Sequence, residues 1–198
     1  LFLSLLLFVS FLIIMVIKGK PKEVKQLPVI VINYHVDKEE VEEPDYLKVK
    51  PRDRTKDLYV SRELPSGITG RFKSYMDYRA ITNKSSTQWK MQQDAITDDE
   101  GFRKYDGKYM VAVGSYYADR CGKLLKVTLD SGIVIHAIVG DLKQDRHTDS
   151  TNRYVTTNGN ILEFIVDTKK LCPTSKKMGD VSYSGLQGSI IKIEEEKR

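Results

Sequence analysis

The sequence predicts a mainly β domain that follows a short helical segment, a charged linker and one N-terminal transmembrane helix. Three observations carry this prediction: an uncharged run at the start, a capped helical pattern near the middle, and apolar and polar alternation from Tyr109 onward. The 198 residues are 40% hydrophobic, which is enough for one domain with a core. The net charge of +5 is a mild excess. It suits an anionic wall or lipid surface, and it shows none of the aromatic-interleaved basic patches of nucleic-acid binders.

Residues 1–17, "LFLSLLLFVSFLIIMVI", are predicted to form the transmembrane anchor. A helix of this length spans roughly 25 Å, the low end of what a bilayer requires. The sequence starts with Leu rather than Met, so we expect further residues upstream. A cleaved signal peptide is the alternative, but the following "IKGKPKEVK" does not fit the pattern of a small-residue cleavage site. Lysines directly after the run favour a cytoplasmic side for the rest of the chain by the positive-inside rule.

Residues 18–60 are predicted to be a linker. The segment is rich in charged residues and prolines, and its run "DKEEVEEPD" is typical of a solvated, extended chain. One apolar island, "LPVIVINYHV", interrupts it. This island fits either a short strand or a contact near the membrane.

Residues 61–108 are predicted to be a helical and irregular addition. Ser85 or Ser86 is placed to cap a short helix "TQWKMQQDA", and "TDDEGF" is typical of a turn. The aromatic residues of this segment fit either a sugar-stacking surface or packing of a small helical unit; they are Phe72, Tyr75, Tyr78 and Trp89.

Residues 109–198 are predicted to form the β domain. The strand "YMVAVG" ends at Gly114, and "KLLKVTLDSG" followed by "IVIHAIVGD" predicts a hairpin with its turn at residues 130–132. The strands "NILEFIVD", entered through an Asn158-Gly159 turn, and "GSIIKIEE" complete the set. Short strands with tight turns and little helix indicate a small barrel or sandwich.

The polar loop that follows the hairpin contains the candidate site. Asp141, Asp145, His147 and Asp149 fall within nine positions. A metal site is one interpretation, but interspersed Lys and Arg and the absence of a turn-forming Gly argue against a calcium loop. A turn-forming, solubilising role is the other, since "HTDSTN" is rich in residues that bond their own backbone. We predict no metal and no cofactor.

The chain has two cysteines, Cys121 and Cys172. They form no CxxC pair and have no spaced histidine pair near them, which makes a zinc site an unsupported interpretation. A disulfide between them and two unpaired thiols remain equally compatible with the sequence.

The order of these pieces resembles a known family. "MVAVGSYY", "VTLDSGIVIHAIVGD" and "NGNILEFIVD" are similar to the double-psi β-barrel of the three-aspartate domain found in bacterial cell-wall proteins, including murein lytic transglycosylases. That family has a "VAVD" strand, an "A-x-D-T-G-G" turn, a Gly-Asn loop and an "R-I-D-V-Y-F" strand. The resemblance covers Tyr109 to Asp167, and it implies a double-psi-like barrel of six strands.

The resemblance also implies residue roles. Asp141 falls on the family's catalytic aspartate, while Gly114 stands where the first aspartate would be and Glu163 replaces the third. The family's "TGG" is "LKQ" here. Asp141 follows the apolar stretch "IHAIV", where desolvation would raise its pKa as a single general acid and base requires. Asp145, His147, Asp149 and Glu163 are then predicted substrate-binding residues.

From this resemblance we expect a membrane-anchored envelope protein with its domain on the extracytoplasmic side. This conflicts with the lysines after the anchor, but a more basic flank upstream of the anchor would restore the positive-inside rule. The first functional hypothesis is a lytic transglycosylase-type enzyme that cleaves peptidoglycan glycan strands. The second is a non-catalytic barrel that binds wall polymer or an envelope protein, which the lost first aspartate favours. A third is an adaptor inside the cell, for which free thiols would speak.

Overall fold

The computed structural model describes residues 58–197, and this part of the chain is mainly β. Nine strands lie within it: β1 (Tyr59–Arg62), β2 (Tyr75–Asp77), β3 (Ile96–Thr97), β4 (Arg103–Tyr105), β5 (Lys108–Val113), β6 (Leu124–Leu129), β7 (Val134–Leu142), β8 (Glu163–Val166) and β9 (Ile190–Glu196). The two helices are α1 (Thr87–Asp94) and α2 (Pro173–Met178), and three 3₁₀ turns cover Tyr78–Ala80, Asp145–His147 and Val181–Tyr183. The predicted anchor and nearly all of the predicted linker lie outside the described residues.

All nine strands belong to one mixed sheet. The main path runs β1-β9-β6-β7-β5-β4-β3. The parallel pairs are β5 with β7 and β2 with β8, and the other pairings are antiparallel. β8 joins the sheet through Val111 and Ala112 of β5, next to the part of β5 that pairs with β4. β5 therefore pairs with three strands, β4, β7 and β8.

The predicted hairpin is confirmed as β6 and β7. Leu125 pairs with Ala137 and Val127 with Ile135, and these four side chains are buried. The backbone N–H of Gly132 donates to the Leu129 carbonyl at 3.0 Å, which closes the turn. Alternation with period two in the sequence places the apolar side chains on the core face.

The core lies mainly against β5, β6, β7 and β8. At its centre Phe102, Tyr109 and Phe164 form a triangle of edge-to-face rings, with centroid separations of 5.2, 5.4 and 5.8 Å. Such pairs contribute about 0.5–1.5 kcal/mol each beyond the burial of their area. Val111, which pairs with Phe164, is fully buried, so these rings fix β8 against β5.

The segment before the predicted β domain contains the expected helix and also strands. α1 begins after Ser86, whose side-chain oxygen accepts the backbone N–H of Trp89 at 3.1 Å, as the capping pattern predicts. The strands β2, β3 and β4 of this segment join the same sheet. Neither helix within residues 58–197 is long and apolar enough to cross a membrane.

Candidate functional site

An open cleft of about 470 Å³ lies at the end of β7, next to the start of β8. This volume falls within the ~300–1,000 Å³ range of small-molecule sites. Three residues that the sequence analysis selected line it together: Asp141, His147 and Glu163. The remaining lining residues are Ser74, Leu142, Lys143, Gln144, Arg146, Val155, Thr156, Thr157 and Asn158.

A β-bulge positions Asp141. The register between β5 and β7 runs from Val111 opposite Val139 to Ala112 opposite Asp141, so Gly140 has no partner. A side chain at Gly140 would come within 2.8 Å of the Ile165 methyl and 2.9 Å of the Met110 methyl, so the buried bulge accommodates glycine best. An extra residue in one strand re-aims the side chains that follow it. The bulge therefore sets which way Asp141 faces.

The Asp141 carboxyl is half-buried, and burial raises its pKa. Its Oδ1 accepts the backbone N–H of Leu142 at 2.9 Å and the side-chain amide of Gln88 at 3.4 Å. These two bonds and the Lys143 charge act in the opposite direction, but burial dominates, and the nearby Glu163 charge adds to it. Among the described residues no donor bonds to Oδ2. A protonated fraction and a free oxygen are what a general acid requires.

Lys143 is the buried cation of the site. Its side chain is 6% exposed, and its Nζ lies 3.2 Å from Oε2 of Glu163. Burial lowers the pKa of Lys143, while the charges of Glu163 and Asp141 oppose this shift. The backbone N–H of Lys143 donates to the Val113 carbonyl at 2.9 Å, which extends the β5–β7 ladder past the bulge. Asp141, Lys143 and Glu163 therefore form one coupled charge cluster on the floor of the cleft.

Ser74 and Asn160 hold Glu163 from the other side. The Ser74 hydroxyl donates to Oε1 of Glu163 at 3.1 Å, and the Asn160 side-chain amide donates to that hydroxyl at 2.6 Å. The Ser74 backbone N–H returns a bond to Asn160 Oδ1 at 3.2 Å. Asn160 is fully buried, so this network fixes Oε1 of Glu163, while Lys143 holds Oε2.

The other predicted site residues lie at the edge of the cleft or beyond it. Exposed His147 lines the mouth from the 3₁₀ turn, beside exposed Arg146. Asp145 does not line the cleft and instead accepts a hydrogen bond from the Ser115 hydroxyl at 2.9 Å. Asp149 also lies outside the lining, within the loop that follows the turn.

Asp149 organises its loop. Its carboxylate accepts backbone N–H groups of Thr151, Arg153 and Tyr154 at 3.0, 2.6 and 3.0 Å. Burial alone would raise the pKa of Asp149, but these bonds and the Thr151 hydroxyl lower it to about 2. This side chain is the local turn-former that the composition of the loop suggested.

Gly114 leaves no room for a side chain. A Cβ at this position would lie 1.9 Å from the Asn152 carbonyl oxygen, which belongs to the Asp149 loop. An aspartate at residue 114 is therefore incompatible with the present path of that loop.

Four residues that bear on the site were not identified from the sequence: Ser74, Gln88, Lys143 and Asn160. For Lys143 the spacing was one indication, because side chains two positions apart in an extended chain face the same side, and Lys143 lies two positions after Asp141. No local pattern indicated Ser74, Gln88 or Asn160, because each hydrogen-bonds a partner that lies 53 or more residues away along the chain.

Other candidate groups lie apart from the cleft. Cys121 and Cys172 are both free thiols; burial raises the pKa of Cys121 to about 11, and hydrogen bonds from Ser175 and Ser184 lower that of Cys172 to about 7. Within residues 58–197 no group of three or more His, Cys, Asp or Glu side chains is arranged to hold a metal ion.

Comparisons of the chain with protein-family models, with curated proteins and with solved structures gave no match.

Proposed function

We propose that this protein is a membrane-anchored envelope protein whose β domain cleaves peptidoglycan glycan strands, with Asp141 as its single general acid and base. The observation that carries the proposal is the Asp141 carboxyl, whose pKa is raised by burial although it borders an open polar cleft. Perturbed pKa values in clefts are typical of functional sites. The anchor and the extracytoplasmic placement of the domain are part of the same proposal.

For the domain we propose a small double-psi-like β-barrel. The mixed sheet, with its parallel β5–β7 pair and the β8 strand antiparallel to β5, supports this proposal. The resemblance that suggested the barrel also placed Asp141 and Glu163 in one site, and both line the same cleft.

The proposed reaction consumes no water. Protonated Asp141 gives its proton to the oxygen of the bond between two sugars, and the bond from that oxygen to C1 breaks. The resulting carboxylate takes the proton of the 6-hydroxyl of the sugar that carries C1. Oxygen 6 then bonds to C1 and closes a 1,6-anhydro ring, while Asp141 returns to its protonated state. One carboxyl suffices, unlike the usual pair of glycosidase carboxylates.

Each neighbour of Asp141 has a defined part in this proposal. Burial and, to a smaller extent, the Glu163 charge favour the protonated form of Asp141, and the Lys143 ammonium stabilises the carboxylate that forms after proton transfer. Arg146 and His147 border the mouth of the cleft, where they are placed to contact bound glycan. Gln88 orients the carboxyl through Oδ1.

The test uses the purified protein in mild detergent, incubated with peptidoglycan and followed by mass spectrometry of the products. We expect 1,6-anhydro-muropeptides from the wild type and none from Asp141→Asn. Asp119→Asn is the matched control, because this exposed carboxyl lies outside the cleft lining and is not a predicted substrate-binding residue, and it should leave product formation unchanged. Absence of anhydro products from a folded wild type would contradict the proposal.

A non-catalytic barrel that binds wall polymer is the second candidate, and Gly114 favours it. The position of the family's first aspartate has no space for a side chain here. Under this candidate the wild type yields no anhydro products but sediments with insoluble peptidoglycan. Loss of both activities would instead leave binding of an envelope protein partner.

A further inference from the structure

A second cleft, of about 340 Å³, lies along α1. Trp89 and Tyr78 are its aromatic walls. The remaining lining residues are Arg79, Ile81, Thr82, Lys84, Gln92 and Gln93. α1 borders both clefts, because Gln88 bonds to Asp141 while Trp89, Gln92 and Gln93 line the second one.

The Trp89 side chain has no stacking partner in the described part of the chain. The side chain is half-buried, yet its ring stacks on no other aromatic ring or cation within residues 58–197, and its indole N–H has no acceptor there. Its backbone is fixed, since its N–H donates to the Ser86 cap and its carbonyl accepts the Gln93 side-chain amide at 3.2 Å. Trp89 therefore presents an unstacked ring and an unused donor at a cleft, on a backbone that is held in place, which makes it a candidate ligand contact.

The opposite wall is rigid. The Arg103 guanidinium lies 4.5 Å from the centroid of the Tyr78 ring, and its Nε donates to Oε1 of Gln92 at 3.0 Å. Arg103 and Gln92 are both buried. A cation over the ring face and a fixed amide hold Tyr78 in place without a ligand. The cleft is therefore already formed, as binding sites for small ligands usually are.

The chemistry of the walls suits a sugar ring. The apolar C–H face of a pyranose covers an indole ring, while hydroxyl and acetamido groups use amide and hydroxyl partners such as Gln93 and Thr82. No carboxylate lines this cleft, so an acid-base reaction has no residue to perform it. The cleft therefore fits binding rather than bond cleavage.

We propose that this cleft is a carbohydrate subsite that holds one N-acetylhexosamine unit against Trp89. Its sugar class rests on the proposed function, because the same glycan strand would occupy both this cleft and the Asp141 cleft. The subsite would retain the strand near Asp141 and orient it for cleavage.

The test exploits the single tryptophan of the chain, so that tryptophan emission reports on the surroundings of Trp89. Full-length Asp141→Asn protein is titrated with the β-1,4-linked tetramer of N-acetylglucosamine and, separately, with maltotetraose. We expect a saturable change in Trp89 emission with the first sugar and none with the second. No change with either sugar, or an equal change with both, would overturn the proposal.

Calorimetry with Trp89 variants gives an independent readout. Trp89→Ala should weaken tetramer binding roughly tenfold, and Trp89→Phe should weaken it less because a ring remains. Tyr183→Ala is the matched control, since Tyr183 is an exposed aromatic residue outside this cleft. Equal affinities for the wild type and both Trp89 variants would overturn the subsite.

The outcomes separate the subsite from catalysis. A saturable Trp89 signal without anhydro products supports the subsite and contradicts the enzyme. Anhydro products with no Trp89 signal leave the enzyme standing and remove the subsite.

Discussion

Gly114→Ala tests the close approach of the Asn152 carbonyl to residue 114. The new Cβ would lie 1.9 Å from the Asn152 carbonyl oxygen, and backbone cannot yield as a side-chain tip does. The Asn152 carbonyl must therefore retreat by about 1 Å to reach even a tight contact. That shift pulls on the loop in which the Asp149 carboxylate accepts three backbone N–H groups.

The expected cost follows from these contacts. Overpacking costs about 1–3 kcal/mol, and weakening two of the loop hydrogen bonds adds about 2 kcal/mol. We expect Gly114→Ala to lower the free energy of unfolding by about 3–5 kcal/mol, which for a domain of this size lowers Tm by roughly 6–20 °C. Urea and thermal unfolding, followed by circular dichroism, measure both quantities.

Gly140→Ala is the matched control. Gly140 and Gly114 both have ordinary φ, but a Cβ at Gly140 meets the methyl ends of Ile165 and Met110, which can rotate away. We expect about 0–1 kcal/mol of destabilisation there, since alanine also restricts the unfolded chain. Equal effects of the two substitutions would refute the steric argument. For the same steric reason we expect Gly114→Asp to destabilise the protein.

Three other substitutions test the charged groups. Asp141→Asn should raise the free energy of unfolding at pH 7 relative to the wild type. A carboxyl with a raised folded-state pKa contributes its full stability only below its unfolded pKa of about 3.9, and this contribution is lost as pH rises. Urea unfolding at pH 4 and pH 7 should therefore show a smaller difference between the two proteins at pH 4. Lys143→Met should raise the pKa of Asp141 further, because the substitution removes the Lys143 charge, which lowers that pKa. An NMR titration of the Asp141 carboxyl measures this, and a downward shift would contradict the prediction. Glu195→Gln should cost about 1–3 kcal/mol at pH 7. Burial would raise the pKa of Glu195, but hydrogen bonds from Lys123 and Arg62 lower it below its usual value. This stability is therefore present above the unfolded pKa of about 4.3 and is lost as pH falls. Acid unfolding should show the difference between the two proteins shrinking as pH falls below that value.

Local signals in the sequence determined which elements were predictable. The β6–β7 hairpin followed from alternation and a Gly132 turn, and α1 followed from the Ser86 cap, since each depends on neighbours along the chain. β1 and β2 were not predicted. They have four and three residues and pair with β9 and β8, far along the chain, so no local pattern marks them.

The same division holds within the site. Asp141 was selected because a motif resemblance placed it on a catalytic aspartate and because it follows an apolar strand, and the structure places it at the cleft. The bulge at Gly140 that orients it was not visible, because a bulge is defined by the partner strand. Ser74 and Asn160 were missed because their hydrogen bonds to the site depend on the pairing of β2 with β8.

Asp141 and Asp149 show how a structural aspartate differs from a candidate acid within one short segment. Both oxygens of Asp149 accept hydrogen bonds from its loop, and the pKa is lowered to about 2, as expected for a carboxylate whose charge stabilises the fold. Asp141 uses only Oδ1, and burial raises its pKa. A carboxyl kept for its fold would be stabilised in its charged form, whereas the surroundings of Asp141 favour the neutral form beside a cleft. This opposition is a reason to test Asp141 as an acid before any other residue of the chain.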